Sequence, residues 1–135
     1  QIAERGRASN SLASAGGRSQ MGGVREEIIV PVMPMDTLLE TFPAPKLVKI
    51  DVEGAEIGVM DGGKRVLEEA RPLFFIEADI KTRPGITTIF RQHDYALFED
   101  ICSFEANIEI EGVIQKKDTL CIAREKLDQI RNNPC

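Results

Sequence analysis

The 135 residues carry 17 Lys and Arg against 22 Asp and Glu, a net charge of −5, with 42% apolar and 29% charged content. That balance fits one globular domain with a single core and excludes a disordered chain. Scattered basic residues and a net negative charge argue against a nucleic-acid partner, and no apolar run is long enough to span a bilayer.

The polar, Gly/Ser-rich first residues lack the apolar segment of a signal peptide, so none is expected. Cys102, Cys121 and Cys135 are odd in number, widely spaced and free of CxxC pairing, and the chain lacks the closely spaced Cys and His pairs a structural zinc site uses. They read as reduced thiols of a cytoplasmic protein, with Cys102 and Cys121 on strands and Cys135 on a loose end.

Residues 1–24 have loop composition, with Arg5, Arg7, Arg18 and Arg25 as solvated charges; residues 25–135 read as the folded part. "EIIVPVM" is β-branched and apolar, and Pro31 places it at a sheet edge or makes it irregular. "MDTLLETF" follows as a short helix capped by Asp36, with Leu38, Leu39 and Phe42 on one face. "KLVKIDV" is a strand. From Ala55 to Ala70 apolar residues recur at three- and four-residue steps, which predicts a helix; Gly62–Gly63 marks a bend or a close approach, and Arg71–Pro72 ends it. "LFFIEAD" is a second apolar strand, and Pro84 opens a second helix carrying Ile86, Ile89 and Phe90. His93 sits at that helix's end as an exposed residue. "YALFEDI", "ANIEIEGVI" and "TLCIAR" read as strands, the last two forming a hairpin through a turn holding Lys116–Lys117, and "EKLDQIRNN" as a terminal helix. Met33, Met35 and Met60 are core filler. Alternating strands and helices predict an α/β fold with right-handed crossovers and a mostly parallel sheet, closed by a C-terminal antiparallel hairpin.

Ligands in open α/β sheets bind beyond the carboxyl ends of the strands. There the sequence places Asp51 and Glu53 on one strand and Glu77 with Asp79 on the next, and the two strands are expected to be neighbours. Gly54 permits a sharp turn. Glu56 falls in the first turn of the following helix, where a negative charge is favoured, and Glu53 is placed to accept hydrogen bonds from the turn. Asp79 suits a solvated loop. Asp51 and Glu77 each follow a buried apolar run, which marks them as functional or tightly hydrogen-bonded.

"LVKIDVEGAEIGVMDGG" followed by "RPLFFIEAD" resembles the hallmark of FkbM-type methyltransferases. "VPVMPMDTLL" and "GRASNSL" resemble segments upstream of that hallmark, and "RQHDYALF" stands where the family often has Gly-Tyr. The similarity runs from Gly6 to about Phe98. It implies a Rossmann-like class I fold and methyl transfer from S-adenosylmethionine to a hydroxyl of a small metabolite or sugar. On that reading Asp51, Glu53, Glu56 and Glu77 are the catalytic residues: Asp51 orients or deprotonates the acceptor hydroxyl, and Glu53 and Glu77 position the acceptor or Asp51. Gly16–Gly17 and Gly22–Gly23 do not follow an apolar strand and open a helix, so they are not the glycine-rich cofactor turn of such folds. The expectation is therefore a partial fold, the C-terminal portion of a methyltransferase, with no cofactor-binding residue assigned. Its exposed sheet edge would pair two copies into a homodimer. Two other readings compete: a non-catalytic interaction module, and a carboxylate site for Mg²⁺ or Mn²⁺, ranked below a metal-free site.

Overall fold

The computed structural model describes residues 2–3, 24–26, 28–99 and 109–132, and the architecture is mixed α/β. Two short strands, β1 (Ile2–Ala3) and β2 (Val24–Glu26), pair antiparallel. The rest of the 1–24 loop region lies outside the described residues, as do Cys102 and Cys135. The main sheet contains β3 (Leu47–Ile50), β4 (Leu73–Glu77), β5 (Tyr95–Phe98) and β6 (Asp118–Ala123) in the order β3-β4-β6-β5.

Among the described strands only β3 and β4 run parallel; β6 is antiparallel to β4 on one side and to β5 on the other. This corrects the expectation of a mostly parallel sheet. The C-terminal hairpin is corrected as well. Of "ANIEIEGVI", the described residues contribute one bridge, Glu109 to Phe98, and β6 takes β4 and β5 as its partners instead. The physical reason is burial. All four residues of β5 are buried, and β6 buries Thr119, Cys121, Ile122 and Ala123, so the two strands complete each other in the core. Ile114 also leaves the surface: it is 1% exposed, and its N–H donates to Thr87 Oγ1 at 3.1 Å.

The connection from β3 to β4 is a broken helix. α1 (Glu56–Asp61) stops at Gly62, and a wider π-helical turn occupies Val66–Ala70. A Cβ on Gly63 would lie 2.1 Å from Met35 Cε, so Gly63 is a point of close approach between this break and the preceding segment. That segment is a 3₁₀ helix, Met35–Glu40. Asp36 does not cap it; its carboxylate accepts from Arg65 N–H at 3.1 Å and Val66 N–H at 3.0 Å, capping the second half of the broken helix from 29 and 30 residues away. Arg71 ends that half at a left-handed φ of 47°, followed by Pro72.

On one face of the sheet α2 (Arg83–Gln92) presses Ile86 and Phe90 onto Phe74, Ile76 and Tyr95. Phe74, Phe90 and Tyr95 form a closed edge-to-face triangle with centroids 5.0, 5.8 and 5.2 Å apart. On the other face α3 (Arg124–Asn132) places Leu127 against Ala96, Phe98 and Ile122. "EIIVPVM" forms no regular strand over Ile28–Met33, and Met33 is 62% exposed rather than core filler. Leu38 and Phe42 are also exposed, while Leu39 packs against the core.

Candidate functional site

The parallel register pairs Ile50 with Ile76, so the next residues, Asp51 and Glu77, leave adjacent strands side by side. Period-two alternation sends both to the face opposite buried Ile50 and Ile76. The chain then reverses through Val52–Ala55. Glu53 and Gly54 both take positive φ, 49° and 99°, and Ala55 N–H reaches Val52 O at 3.3 Å. Two consecutive left-handed residues define a tight turn that favours glycine at one and strains the other. The turn carries Glu53 back toward the strand ends, and carboxylate oxygens of Asp51, Glu53 and Glu77 all lie within 4.8 Å of one another.

Exposure separates the three. Asp51 is 40% exposed and Glu77 21%, and each has a lysine partner: Lys49 Nζ lies 3.4 Å from Asp51, and Lys117 pairs with Glu77. Lys117 comes from the turn before β6, and Asp118 stands opposite Glu77 across the antiparallel ladder. Sequence reasoning singled out neither as part of the site, because their proximity depends on β6 inserting next to β4. A divalent ion gathers carboxylate oxygens within about 2.0–2.6 Å of itself. The three acids have the right chemistry for one, yet two already face lysines.

Glu56 stands in the first turn of α1 as read, and it also takes the turn-acceptor role read for Glu53. Glu56 is fully buried, with one carboxylate oxygen accepting from Gly54 N–H at 2.8 Å and the other from Thr82 Oγ1 at 2.7 Å. It is the acid that accepts from the turn, whereas Glu53 is exposed. Asp79 accepts from Lys81 N–H at 2.9 Å through Oδ1, within the turn that leads to α2. His93 ends α2 but is only 22% exposed, with Nδ1 2.8 Å from Ile89 O and Nε2 3.3 Å from Glu68. Cys121 is a free thiol buried in β6, and its burial pushes its pKa up, away from thiolate chemistry.

Beside the turn, a groove of about 580 Å³ runs along the outer edge of β3. Val32, Met35, Leu38, Val48, Ile50 and Val52 give it apolar walls, and Gly54 and Ala55 border it at the turn.

The class this defines is a mixed α/β domain with acids gathered beyond its parallel strand ends, where open α/β sheets bind ligands. The chain belongs to the methyltransferase FkbM domain family, whose model matches residues 3–107, and this places it among methyltransferases. No curated protein and no solved structure matches it. Among the described residues no helix is long and apolar enough to cross a membrane.

Proposed function

We propose that this chain carries the acceptor side of an S-adenosylmethionine-dependent O-methyltransferase acting on a hydroxyl of a small metabolite or sugar in the cytoplasm. The observation that carries the reading is the convergence of Asp51, Glu53 and Glu77 within 4.8 Å at the strand ends, in a chain of a methyltransferase family. An alcohol is a weak nucleophile at neutral pH, and a carboxylate within hydrogen-bond reach aligns it and takes its proton as the new C–O bond forms. Asp51 is more accessible than Glu77, 40% against 21% exposed, and takes that role. Glu77, held by Lys117, and Glu53, on the strained turn, orient the acceptor's other hydroxyls. Glu56 is too enclosed to touch a substrate.

S-adenosylmethionine supplies an electrophilic methyl group on a sulfonium cation, a charge that suits three neighbouring carboxylates. Its nucleoside and amino-acid ends find no match: the described residues contain no glycine-rich turn between an apolar strand and a helix. No residue is assigned to hold it and no step is derived through it.

The test is methyl transfer from labelled donor to a panel of sugars and hydroxylated metabolites. Asp51→Asn should lower kcat about 10²–10⁴-fold while the melting temperature stays put, because Asp51 is exposed at a strand end. Undiminished turnover in Asp51→Asn would remove Asp51 from the chemistry.

Among the described residues no strand pairs with the outer edge of β3, which supports one further partner, a second copy of the chain. Leu73 N–H donates to Lys46 O, so the even-numbered residues of β3 face β4 and the backbone groups of Leu47 and Lys49 point outward. An antiparallel pairing centred on Ile50 would set Lys49 opposite the other copy's Asp51 in both directions, opposite charges meeting across the edge.

A further inference from the structure

We propose that Glu56 is a positioning residue, a buried carboxylate strut that locks the turn after β3 to the turn after β4 and so sets the spacing of the acid cluster. Glu56 has no exposed surface, although carboxylates are seldom buried unless their oxygens are satisfied. Both are satisfied, and by donors from different strand ends. Gly54 N–H belongs to the strained turn that carries Glu53; Thr82 Oγ1 belongs to the Asp79–Thr82 turn that follows Glu77. One side chain thus bridges the two segments that deliver Asp51 and Glu53 on one side and Glu77 on the other.

The surroundings are built for this bridge. Thr82 precedes α2, whose N-terminal end favours a nearby negative charge. Gly85, in the first turn of α2, admits Ile57 so closely that a Cβ there would lie 2.7 Å from Ile57 Cδ1. The start of α2 is therefore drawn against α1, beside Glu56. Without the strut, the left-handed Glu53 loses the hydrogen bond that holds its neighbour Gly54, and the turn keeps only its own Ala55 N–H to Val52 O bond at 3.3 Å.

Hydrogen-bond geometry makes a specific prediction about substitutes. Thr82 Oγ1 lies 2.7 Å from Glu56 and 3.0 Å from Asp79 O, but it has a single hydrogen. In Glu56→Gln the amide oxygen can accept from Gly54 while the amide N–H donates to Thr82 Oγ1, whose hydrogen turns to Asp79 O. Gly54 N–H, the Thr82 hydroxyl and one of the two amide hydrogens keep partners, and the second amide hydrogen is the cost of the substitution. Glu56→Asp retains the charge but is one methylene short of spanning both turns. A strut therefore ranks Gln above Asp; a catalytic acid or base ranks Asp above Gln, and Gln with Ala.

The experiment measures Gly54 amide hydrogen exchange and methyl-transfer kcat and KM in the wild type and in Glu56→Gln, Glu56→Asp, Glu56→Ala and Thr82→Val. Exchange at Gly54 should rise at least about tenfold in Glu56→Asp and Glu56→Ala, and clearly less in Glu56→Gln. kcat should fall in the same order with KM for the acceptor little moved, because alignment of Asp51 is what is lost. Thr82→Val keeps the Gly54 bond and should lower kcat with a smaller change in exchange. Unchanged Gly54 exchange in Glu56→Ala, or a Gln variant as damaged as the Asp variant, overturns the proposal. If Glu56→Ala does not fold, the Gln and Asp variants decide. The catalytic consequence rests on the methyl-transfer reading: a wild type that transfers no methyl group ends that reading, while the exchange ranking still judges the strut.

Discussion

Arg71 gathers more partners than any other side chain described above. Its guanidinium donates twice to Glu125, at 2.7 and 2.9 Å, reaches His93 O at 2.9 Å, and lies 5.1 Å from the centre of the Tyr95 ring. It thereby fastens the end of the broken helix to the end of α2 and the start of α3. The hydrogen bond from Arg71 holds the Glu125 carboxyl below the usual glutamate range. A depressed folded-state pKa adds stability above the unfolded value and loses it as pH falls through the folded one. Because Glu125 is 47% exposed, the pH-dependent part is worth less than about 1 kcal/mol. Melting curves should show Arg71→Ala destabilised by about 2–3 kcal/mol at neutral pH, from lost hydrogen bonds and ring stacking. The gap between it and the wild type should narrow below the glutamate range; a constant gap would mean that Glu125 adds nothing.

The broken helix shows how an element borrows its ends from elsewhere. Periodicity over Ala55–Ala70 correctly marks a helical crossover, and Gly62–Gly63 correctly marks its weak point. What restarts the helix at Arg65 and Val66 is Asp36, assigned from sequence to the wrong helix because a cap was sought next door in the chain. Asp36→Ala should cost about 0.5–2 kcal/mol, the usual loss for a missing cap, read as a lower urea midpoint with an unchanged slope. A midpoint equal to wild type would mean that Arg65 and Val66 find other acceptors. Local spacing likewise brought out Asp51, Glu53 and Glu77, since each acid ends an apolar run or follows it by a turn. It could not tell Glu53 from Glu56, three residues apart and both beside Gly54; only the packing of α1 against α2 decides which one is enclosed.

Over the whole molecule the apolar surface is lopsided. Of the ten large apolar side chains exposed among the described residues, eight fall between Ile28 and Leu47, and the open edge of β3 borders the same region through its groove. Such a concentration next to a strand that pairs on one side only among the described residues is a surface suited to being covered. Sedimentation should detect a concentration-dependent dimer. Lys49→Pro should abolish it without unfolding the chain, because proline is tolerated on an edge strand where its missing N–H faces outward. Persistence of the dimer in that variant would exclude pairing through β3.

The crossover from β3 to β4 and its acidic strand ends are decided locally, by apolar runs, a glycine turn and proline stops that any register would preserve. The octapeptide from Lys49 to Glu56 carries the family resemblance for the same reason, since strand, turn and helix start are consecutive in the chain. The placement of β6 between β4 and β5 depends on which strands bury each other best, a comparison among segments tens of residues apart. From that one insertion follow the antiparallel majority of the sheet and the arrival of Lys117 at Glu77. The enclosure of Glu56 is non-local too, for Thr82 lies 26 residues farther along the chain, and only packed helices bring it to the carboxylate.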